Sequence, residues 1–263
     1  MIKIVLTGAL GRMGGLVAGA IAASDDMTVT GAVDSPDNPG IGSPLRTAAG
    51  PPGSEGVPVT SSVAGVIGGC DLLVDFSSPA SAPLFLAACL ESGKGFITGT
   101  TGLPEGFLDA AFKASEKIPV LVSPNMSAGV NLMFRLAREV ASALPDFDVE
   151  ICEIHHNRKK DAPSGTAMRL AENIRSVREG SRLTHGREGL VGERSPGEIG
   201  MHSLRGGDVT GEHTIVFAGL GERLELTHRA HSRMTFVGGT IKAIRFIASR
   251  GPGLYTMDDV LGL

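Results

Sequence analysis

The sequence predicts an α/β protein with two domains, and three observations lead to that prediction. Short β-branched apolar runs alternate with amphipathic helical periods through residues 1–126, which is typical of a doubly wound parallel sheet. Residues 127–234 instead contain strands that alternate polar and apolar side chains, which indicates an α+β domain with a mixed or antiparallel sheet. Residues 235–263 return to helical spacing, and we expect them to rejoin the first domain.

Composition and charge exclude several classes of protein. The 263 residues are 42% hydrophobic, so the chain is long enough to bury a sizeable core. A net charge of −4 argues against a general nucleic-acid binder, which needs a basic face. The sequence contains no run of about 18 consecutive apolar residues, and its three widely spaced cysteines are typical of reduced thiols. We therefore expect a cytoplasmic protein that binds neither nucleic acid nor membranes.

A glycine-rich turn follows the first predicted strand, Ile2 to Thr7. Residues Gly8 to Gly14 follow the pattern G-x-x-G-x-x-G and lead into an amphipathic helix, and a second strand, Met27 to Val33, then ends at Asp34. Glycines let the backbone approach a pyrophosphate, which the amide groups at the helix N-terminus bind. An acid after the second strand accepts hydrogen bonds from the adenosine ribose. This order predicts a Rossmann-like dinucleotide-binding domain; a βαβ unit with purely structural glycines is the alternative.

The alternation of strands and helices continues along the first domain. Phe96 to Thr98 forms a strand, and the turn Gly99 to Gly102 follows it at a sheet edge where ligands bind. We predict that Ser77-Ser78-Pro79 caps a helix that ends at Gly93. The other predicted elements are strands at residues 71–76 and 120–122, a helix at residues 103–117 and loop-rich residues 35–58.

The second domain is predicted to begin with a long helix that starts near residues 127–129. Its predicted strands lie at residues 148–155, 198–205, 212–218 and 223–230, with a hairpin turn at residues 219–221. Residues 176–197 are predicted to be loop-rich, and residues 234–249 are predicted to form a helix.

The segment from His155 to Thr166 is the most informative part of the sequence. It leaves a strand, passes through a basic loop and enters a helix at Ser164-Gly165-Thr166, so cations and free amide groups form one anion pocket. A dicarboxylate substrate suits that pocket. His155 is suited to general acid catalysis, because an unperturbed imidazole has a pKa of about 6.5. A solvated basic loop is the alternative.

We predict no metal site. Adjacent histidines on a strand point to opposite faces, so His155 and His156 do not readily bind one ion. His228 and His231 lack the glutamate that a zinc-protease helix needs. Arg233 is either a second contact for a substrate carboxylate or a surface arginine.

These residues resemble the dihydrodipicolinate reductase family, also called 4-hydroxy-tetrahydrodipicolinate reductase, of bacterial lysine and diaminopimelate synthesis. The similarity runs along nearly the whole chain, and the His-His-x-x-Lys-x-Asp-Ala-Pro-Ser-Gly-Thr segment is highly specific to that family. The matching segments are Gly8–Gly14, Asp75–Ser77, Gly99–Gly102, Asn125–Asn131, Glu153–Thr166, Arg205–Asp208, Gly211–Thr214 and Ser232–Phe236.

The resemblance implies a reduced nicotinamide cofactor, NADH or NADPH. It implies that the cofactor lies over Gly8, Arg12, Met13 and Gly14, with Asp34 on the adenosine ribose. The nicotinamide end is implied to contact Gly99, Thr100, Thr101, Asn125 and Met126.

The resemblance also implies the substrate site and the reaction, in which a cyclic conjugated imine receives a hydride at ring carbon 4 and a proton at carbon 3. His155 is implied as the proton donor, and Lys159 as a group that binds or polarises the substrate or itself donates a proton. Two domains that close on the ligand and a homotetramer built through the second domain's sheets are also implied. The implied contacts to the two substrate carboxylates are His156, Ser164, Gly165, Thr166 and Arg233.

Two departures from the family pattern concern the cofactor. NADPH-using relatives often place an arginine just after the acid of the second strand, whereas here no cation follows Asp34 until Arg46. We therefore predict that NADH is used at least as well as NADPH. Ser78 stands where some relatives carry an arginine. Another NAD(P)-dependent dehydrogenase of amino-acid metabolism and a non-catalytic dinucleotide sensor are the alternative functions.

Overall fold

The computed structural model describes residues 1–45 and 56–263, which form two compact units. Unit 1 comprises Met1–Ala128 and Phe236–Leu263, and unit 2 comprises Gly129–Thr235. Each unit contains one sheet, with seven strands in unit 1 and five in unit 2. The predicted fold class, a doubly wound parallel sheet with a second α+β unit, is confirmed. No helix among the described residues has the length and apolar character needed to cross a bilayer.

The sheet of unit 1 has the strand order β12-β6-β5-β4-β1-β2-β3, and all of its pairs are parallel. The chain order reverses beside β1, and ligands of such sheets bind at the carboxyl ends of the strands at this point. The strands are β1 (Ile2–Thr7), β2 (Met27–Val33), β3 (Val59–Thr60), β4 (Leu72–Asp75), β5 (Gly95–Thr98), β6 (Pro119–Val122) and β12 (Gly253–Tyr255).

Helices cover both faces of this sheet because its strands are apolar on both sides. Ile4 and Leu6 of β1 pack in one core cluster with the first and sixth helices, whereas Val5 packs in a second cluster with the second and third helices. The helices of unit 1 are α1 (Arg12–Ala22), α2 (Ala82–Ser92), α3 (Phe107–Ser115), α6 (Met234–Ile247) and α7 (Met257–Leu261).

The sheet of unit 2 is mixed, with the strand order β11-β10-β7-β9-β8. Its central strand, β7, runs parallel to β9 and antiparallel to β10. Alternate residues of β7 are buried against two helices, as the polar–apolar alternation predicts. The elements are α4 (Ala128–Ala143), β7 (Asp148–His155), α5 (Gly165–Arg175), β8 (Arg182–His185), β9 (Glu198–Arg205), β10 (Glu212–Gly219) and β11 (Glu222–Arg229).

Two predicted helices begin later than predicted, and one strand within the loop-rich residues 176–197 was not predicted. The α2 helix begins at Ala82 with Ser81 as its N-cap, not at Ser77-Ser78-Pro79, because Pro83 occupies its first turn. The α3 helix begins at Phe107 and not at residue 103, because Gly106 has a left-handed φ of 78°. The predicted loop at 176–197 contains β8, which pairs with β9. Part of the predicted loop at 35–58 lies outside the described residues.

Candidate active site

The glycine turn of unit 1 joins β1 to α1 and forms a cradle that only glycine permits. Gly8 has a φ of 65°, and a Cβ atom there would lie 2.2 Å from the carbonyl oxygen of Phe76. A Cβ atom at Gly14 would lie 2.1 Å from the carbonyl oxygen of Gly8. The chain therefore folds tightly over the helix end, and glycine is required there because neighbouring backbone fills the space that a side chain would occupy.

The end of α1 fits a pyrophosphate. Its N-cap, Gly11, offers no side-chain acceptor, and the first turn contains no acidic residue. The amide groups of Arg12, Met13 and Gly14 at the start of the helix are therefore left for an anion, and the helix dipole favours negative charge at this end. The exposed Arg12 adds a positive side chain.

Asp34 follows β2 and lies beside the glycine turn. Its carboxylate accepts hydrogen bonds from the amides of Leu10, at 2.8 Å, and Ser35, at 2.9 Å, and from the side chain of Asn38, at 3.2 Å. These contacts fix the carboxylate next to the helix N-terminus, where an adenosine ribose is expected. Arg46, the first cation after Asp34 in the sequence, lies outside the described residues.

A fully buried carboxylate, Asp75, joins three strand ends at the point where the chain order reverses. It lies at the end of β4 and contacts side chains that follow or end β1 and β5. Its two oxygens accept five hydrogen bonds of 2.5–3.0 Å, from the hydroxyl groups of Thr7, Ser77, Thr98 and Thr100 and from the amide of Ser77.

The Gly99–Thr101 turn lies at the same edge of the sheet. Thr100 is buried and its hydroxyl group donates a hydrogen bond to Asp75, whereas Thr101 is exposed. The ring of Phe76 packs so closely on Gly99 that a Cβ atom there would lie 2.3 Å from it. A cavity of about 340 Å³ lies beside this turn, lined in part by Thr100, Thr101 and Pro124.

Asn125 and Met126 follow β6 at this edge of the sheet. The Asn125 side chain accepts a hydrogen bond from the amide of Ser127 at 2.9 Å, and its backbone carbonyl accepts one from Ser123 at 2.8 Å. Met126 is buried, and its carbonyl oxygen would lie 1.6 Å from a Cβ atom at Gly239. The close approach of α6 therefore fixes the backbone at the predicted nicotinamide contacts.

The site in unit 2 is built at the end of β7. Glu153 and His155 are two residues apart on the strand, so both side chains face the same side of the sheet. The Nδ1 atom of His155 lies 2.5 Å from Oε2 of Glu153. Arg205, at the end of the adjacent β9, donates to both carboxylate oxygens of Glu153, at 2.8 and 2.9 Å.

Glu153 is ionised although its side chain is fully buried. Burial raises the pKa of Glu153, but hydrogen bonds from Arg205, His155 and Ser203 outweigh that effect and hold the pKa at about 2. An ionised carboxylate only accepts hydrogen bonds, so the Nδ1 atom of His155 carries the proton. The Nε2 atom of the neutral imidazole is consequently the nitrogen that carries no proton and can accept one.

The environment of His155 favours the neutral imidazole in the absence of a ligand. Burial lowers the pKa of His155 below its usual 6.5, against the opposing effect of Glu153. A Cβ atom at Gly211 would lie 2.9 Å from Nε2, so glycine leaves this nitrogen uncovered. A bound dianion favours the protonated imidazole, because an opposite charge nearby raises the pKa of a base.

The N-terminus of α5 lies next to this pair. Ser164 is its N-cap, and its Oγ atom accepts a hydrogen bond from the amide of Ala167 and lies 3.0 Å from Nε2 of the buried His213. The Ser164 amide donates to Glu153 at 3.1 Å. Gly165, the first helical residue, is exposed, and Thr166 follows it. This end of the helix is therefore suited to bind a carboxylate.

The loop between β7 and α5 carries the other predicted residues. The Nζ atom of Lys159 lies 2.8 Å from both carboxylate oxygens of Asp161, and the amide of His156 donates to Val209. Hydrogen bonds thus place Glu153, His155, Ser164, Arg205 and His213 in one cluster. Arg233 lies between β11 and α6, and the hydrogen bonds among the described residues do not join it to this cluster.

Sequence reasoning gave no role to Asp75, Glu153, Arg205 and His213. Asp75 and Glu153 stand in segments that resemble the family. Asp75 is an acid in an apolar strand, whereas Glu153 takes the position in the alternation of β7 that Val149 and Ile151 occupy before it, and these are the signals that could have singled them out. Their partners come from other strands and therefore depend on the pairing of the sheets.

A Rossmann-like unit with a glycine cradle, together with a second unit that carries an imidazole beside a helix N-terminus, defines a nicotinamide-dependent oxidoreductase. The family model described as the N-terminus of dihydrodipicolinate reductase matches residues 2–126, and the model described as its C-terminus matches residues 129–261. The chain therefore belongs to the dihydrodipicolinate reductase family.

Individual relatives agree with this assignment. The chain is 42% identical to the 4-hydroxy-tetrahydrodipicolinate reductase of Citrifermentans bemidjiense over 100% of both chains. It is 45% identical to that of Anaeromyxobacter sp. (strain Fw109-5), over 100% of this chain and 98% of the relative. A dipicolinate-bound dihydrodipicolinate reductase from Paenisporosarcina sp. TG-14 has a similar structure, with a TM-score of 0.76 and 28% identity over 97% of each chain.

Proposed function

We propose that this chain reduces 4-hydroxy-tetrahydrodipicolinate, or its dehydrated form, to tetrahydrodipicolinate in lysine and diaminopimelate synthesis. The observation that carries the proposal is the identity to curated reductases of 4-hydroxy-tetrahydrodipicolinate along the whole chain. The His155 cluster at the N-terminus of α5 supports it, because this arrangement suits a substrate with two carboxylates. Cytoplasmic activity follows from this biosynthetic role.

Unit 1 is the proposed dinucleotide-binding domain. Gly8, Arg12, Met13 and Gly14 would hold the pyrophosphate through backbone amides and the helix dipole, and Asp34 would accept hydrogen bonds from the adenosine ribose. When bound, the reduced nicotinamide supplies the hydride. The residues proposed to hold its ring are Gly99, Thr100, Thr101, Asn125 and Met126.

Unit 2 is the proposed substrate-binding and oligomerisation domain. His155 donates a proton from Nε2 to ring carbon 3, and Lys159 binds and polarises the substrate. Cations at the carboxylates and a proton donor beside the ring stabilise the charge that develops as the imine is reduced. The proposed carboxylate contacts are His156, Ser164, Gly165, Thr166 and Arg233.

The activity is tested by the oxidation of NADH and NADPH. The substrate is made in situ by the preceding synthase from pyruvate and aspartate semialdehyde. We expect substrate-dependent oxidation that collapses in His155→Ala and Lys159→Ala, with cofactor affinity retained. If folded protein binds the cofactor but oxidises none, the proposed substrate is wrong.

The proposed cofactor preference rests on Asp34. Its carboxylate is fixed by two backbone amides, so it cannot easily turn away from a 2′-phosphate, and a negative charge there repels that phosphate. We expect kcat/KM with NADH to equal or exceed that with NADPH. Asp34→Ser should shift the ratio toward NADPH, whereas Asp37→Ser, an exposed acid in the same loop, should not. A strong preference of the wild-type protein for NADPH contradicts the proposal.

We also propose a homotetramer that forms through the sheet of unit 2. The face of β7 opposite its helices carries Cys152 and Ile154, which are only half-buried in the single chain. Light scattering coupled to size-exclusion chromatography should give a mass four times that of one chain. A monomeric mass at assay concentration contradicts this assembly.

A further inference from the structure

Glu153 is a buried charged group to which the proposed reaction gives no role. Glu153 as a whole is 1% exposed, and its side chain is fully buried. A buried carboxylate remains ionised only when strong donors surround it. Its partners therefore indicate what the charge does.

Both oxygens of the Glu153 carboxylate accept hydrogen bonds. Each is bonded to Arg205 and to one further group of the proposed site. Oε1 accepts from Arg205 at 2.8 Å and from the backbone amide of Ser164 at 3.1 Å. Oε2 accepts from Arg205 at 2.9 Å and faces Nδ1 of His155 at 2.5 Å. One carboxylate thus touches both the proposed proton donor and the N-cap of the helix proposed to bind the substrate.

We infer that Glu153, held by Arg205, is a positioning residue that fixes the tautomer of His155 and aligns it with the N-terminus of α5. The inference rests on the proposed function, because it assigns a role relative to His155 and Ser164. The bidentate arginine prevents the carboxylate from rotating, so the Nδ1 proton and the Ser164 amide keep fixed directions. The Nε2 atom is thereby left for the ligand.

The carboxylate also controls when His155 holds its second proton. During the reaction the Nε2–H bond breaks, the proton moves to the substrate carbon, and the imidazole returns to its neutral form with Nδ1–H still bonded to Glu153. A proton from solvent then restores the imidazolium. Glu153 favours this charged form, since hydrogen bonding and charge both raise the pKa of His155.

A purely structural role for this ion pair has different consequences. Arg205 and His155 are partners in the register of β7 and β9, so the pair also ties the two strands together. Loss of such a tie lowers stability but does not change the proton affinity of His155. The experiment therefore needs readouts that report on His155 itself.

The test is Glu153→Gln in the full-length protein. We expect kcat to fall at least about 10-fold, with the KM for NADH unchanged, because loss of the carboxylate that holds the tautomer of a catalytic imidazole costs up to about 10⁴-fold in a catalytic triad. The basic limb of the kcat–pH profile should move to lower pH, because the protonated imidazole loses its anionic partner. The His155 imidazole signal, assigned by NMR with His155→Gln, should titrate at lower pH for the same reason.

Glu150→Gln is the matched control. Glu150 lies on the same strand but on the opposite face, and it is also held by arginines, through Arg187 and Arg194. Burial raises the pKa of Glu150, but hydrogen bonds from Arg187, His202 and Arg194 hold it at about 2. We expect this variant to lose stability but to keep the wild-type kcat–pH profile.

A Glu153→Gln protein with the wild-type profile and the wild-type His155 titration overturns the inference. If that variant does not fold, Arg205→Lys decides, because lysine keeps the charge but cannot bind both oxygens at once. A partial loss of kcat with a shifted profile then supports the inference, and an unchanged profile overturns it. Failure of the wild-type protein to reduce the substrate instead overturns the proposed function, while the NMR titration still tests the tautomer.

Discussion

A buried carboxylate lies at or near the carboxyl end of a central strand in each unit, Asp75 in β4 and Glu153 in β7, and the two are stabilised in opposite ways. Asp75 in unit 1 is surrounded by neutral donors, four hydroxyl groups and one amide. Glu153 in unit 2 is bound by a guanidinium and an imidazole. Neutral hydroxyls fix geometry without changing their own charge, whereas an imidazole couples the carboxylate to a proton. The difference separates a carboxylate that fixes the geometry of neighbouring strand ends from one that is bonded to a titratable imidazole.

The largest effect is expected for Asp75→Ala. This change leaves four hydroxyl groups and an amide without their acceptor at the centre of the sheet, and each buried unsatisfied group costs about 1–3 kcal/mol. Because some hydroxyls can find new partners, we expect a total loss of about 3 kcal/mol or more in the free energy of unfolding. Urea denaturation measures this loss, and the Kd of NADH should rise because the turns after β1 and β5 lose their common anchor.

Asp75→Asn is the control for that prediction. The amide keeps an oxygen acceptor and a similar volume, and the threonine hydroxyls can rotate to accept from its NH2 group. We expect most of the stability to return. Equal losses in the two variants would show that the negative charge, and not the number of acceptors, matters at this position.

A smaller effect is expected at the glycine cradle. Gly14→Ala places a Cβ atom 2.1 Å from the carbonyl oxygen of Gly8, so the turn must open, at a cost of about 1–3 kcal/mol. The Kd of NADH, measured by fluorescence titration, should rise strongly. Gly15→Ala is the matched control, because a Cβ atom there has no neighbour within 4 Å among the described residues and alanine favours the helix. Similar NADH affinities in the two variants contradict the close approach at Gly14.

The sequence predicted the two regions unequally because their interactions have different ranges. The glycine turn, α1 and Asp34 follow one another along the chain, so a local pattern located them. The strands β7 and β9 were predicted with their observed ends, because polar and apolar side chains alternate along them with a period of two residues. Arg205, however, lies 52 residues from Glu153, and only the parallel pairing of β7 with β9 brings them together.

The same limit explains why Asp75 had no predicted role and why α3 was predicted to start too early. Thr98 and Thr7 reach Asp75 through strand pairing, which periodicity does not encode. The apolar spacing that predicted α3 extends before Phe107. The helix nevertheless begins only at Phe107, because Gly106 has a left-handed φ that is not helical. Sequence reasoning therefore assigned no role to the buried acids Asp75 and Glu153, because their partners come from strands distant in the chain.

The third prediction concerns access to His155. Gly211→Ala would place a Cβ atom 2.9 Å from Nε2 and partly cover the nitrogen proposed to exchange the proton. We expect kcat to fall about tenfold, which corresponds to about 1.4 kcal/mol in the activation barrier, with little change in the Kd of NADH. Gly206→Ala, in the preceding loop with no neighbour within 4 Å of its Cβ among the described residues, should keep the wild-type kcat. Equal kcat values in the two variants contradict the prediction.

The smallest effect is a pH dependence of stability that comes from His213, the imidazole behind Ser164. Burial is the main cause that lowers the pKa of His213 to about 3, and the nearby His155 adds to it. The unfolded chain therefore takes up this proton more readily than the folded chain. The contribution of His213 to stability is fully present above a pH of about 6.5 and is lost as the pH falls toward 3.

The contribution of His213 to the free energy of unfolding should fall by about 1.4 kcal/mol by about pH 5.5. At that pH the imidazole is protonated in most unfolded molecules but stays neutral in the folded protein. His213→Asn removes the titration, so urea denaturation between about pH 7.5 and 5.5 should show a fall in stability about 1.4 kcal/mol smaller than in the wild-type protein. The exposed His231, changed to asparagine, serves as the control and should keep the wild-type slope. An identical slope in His213→Asn would mean that the imidazole behind Ser164 accepts a proton in the folded state. The neutral hydrogen bond at the N-cap of α5 would then have to be reassigned, and with it the contrast between the hydroxyl-bound carboxylate of unit 1 and the proton-coupled cluster of unit 2.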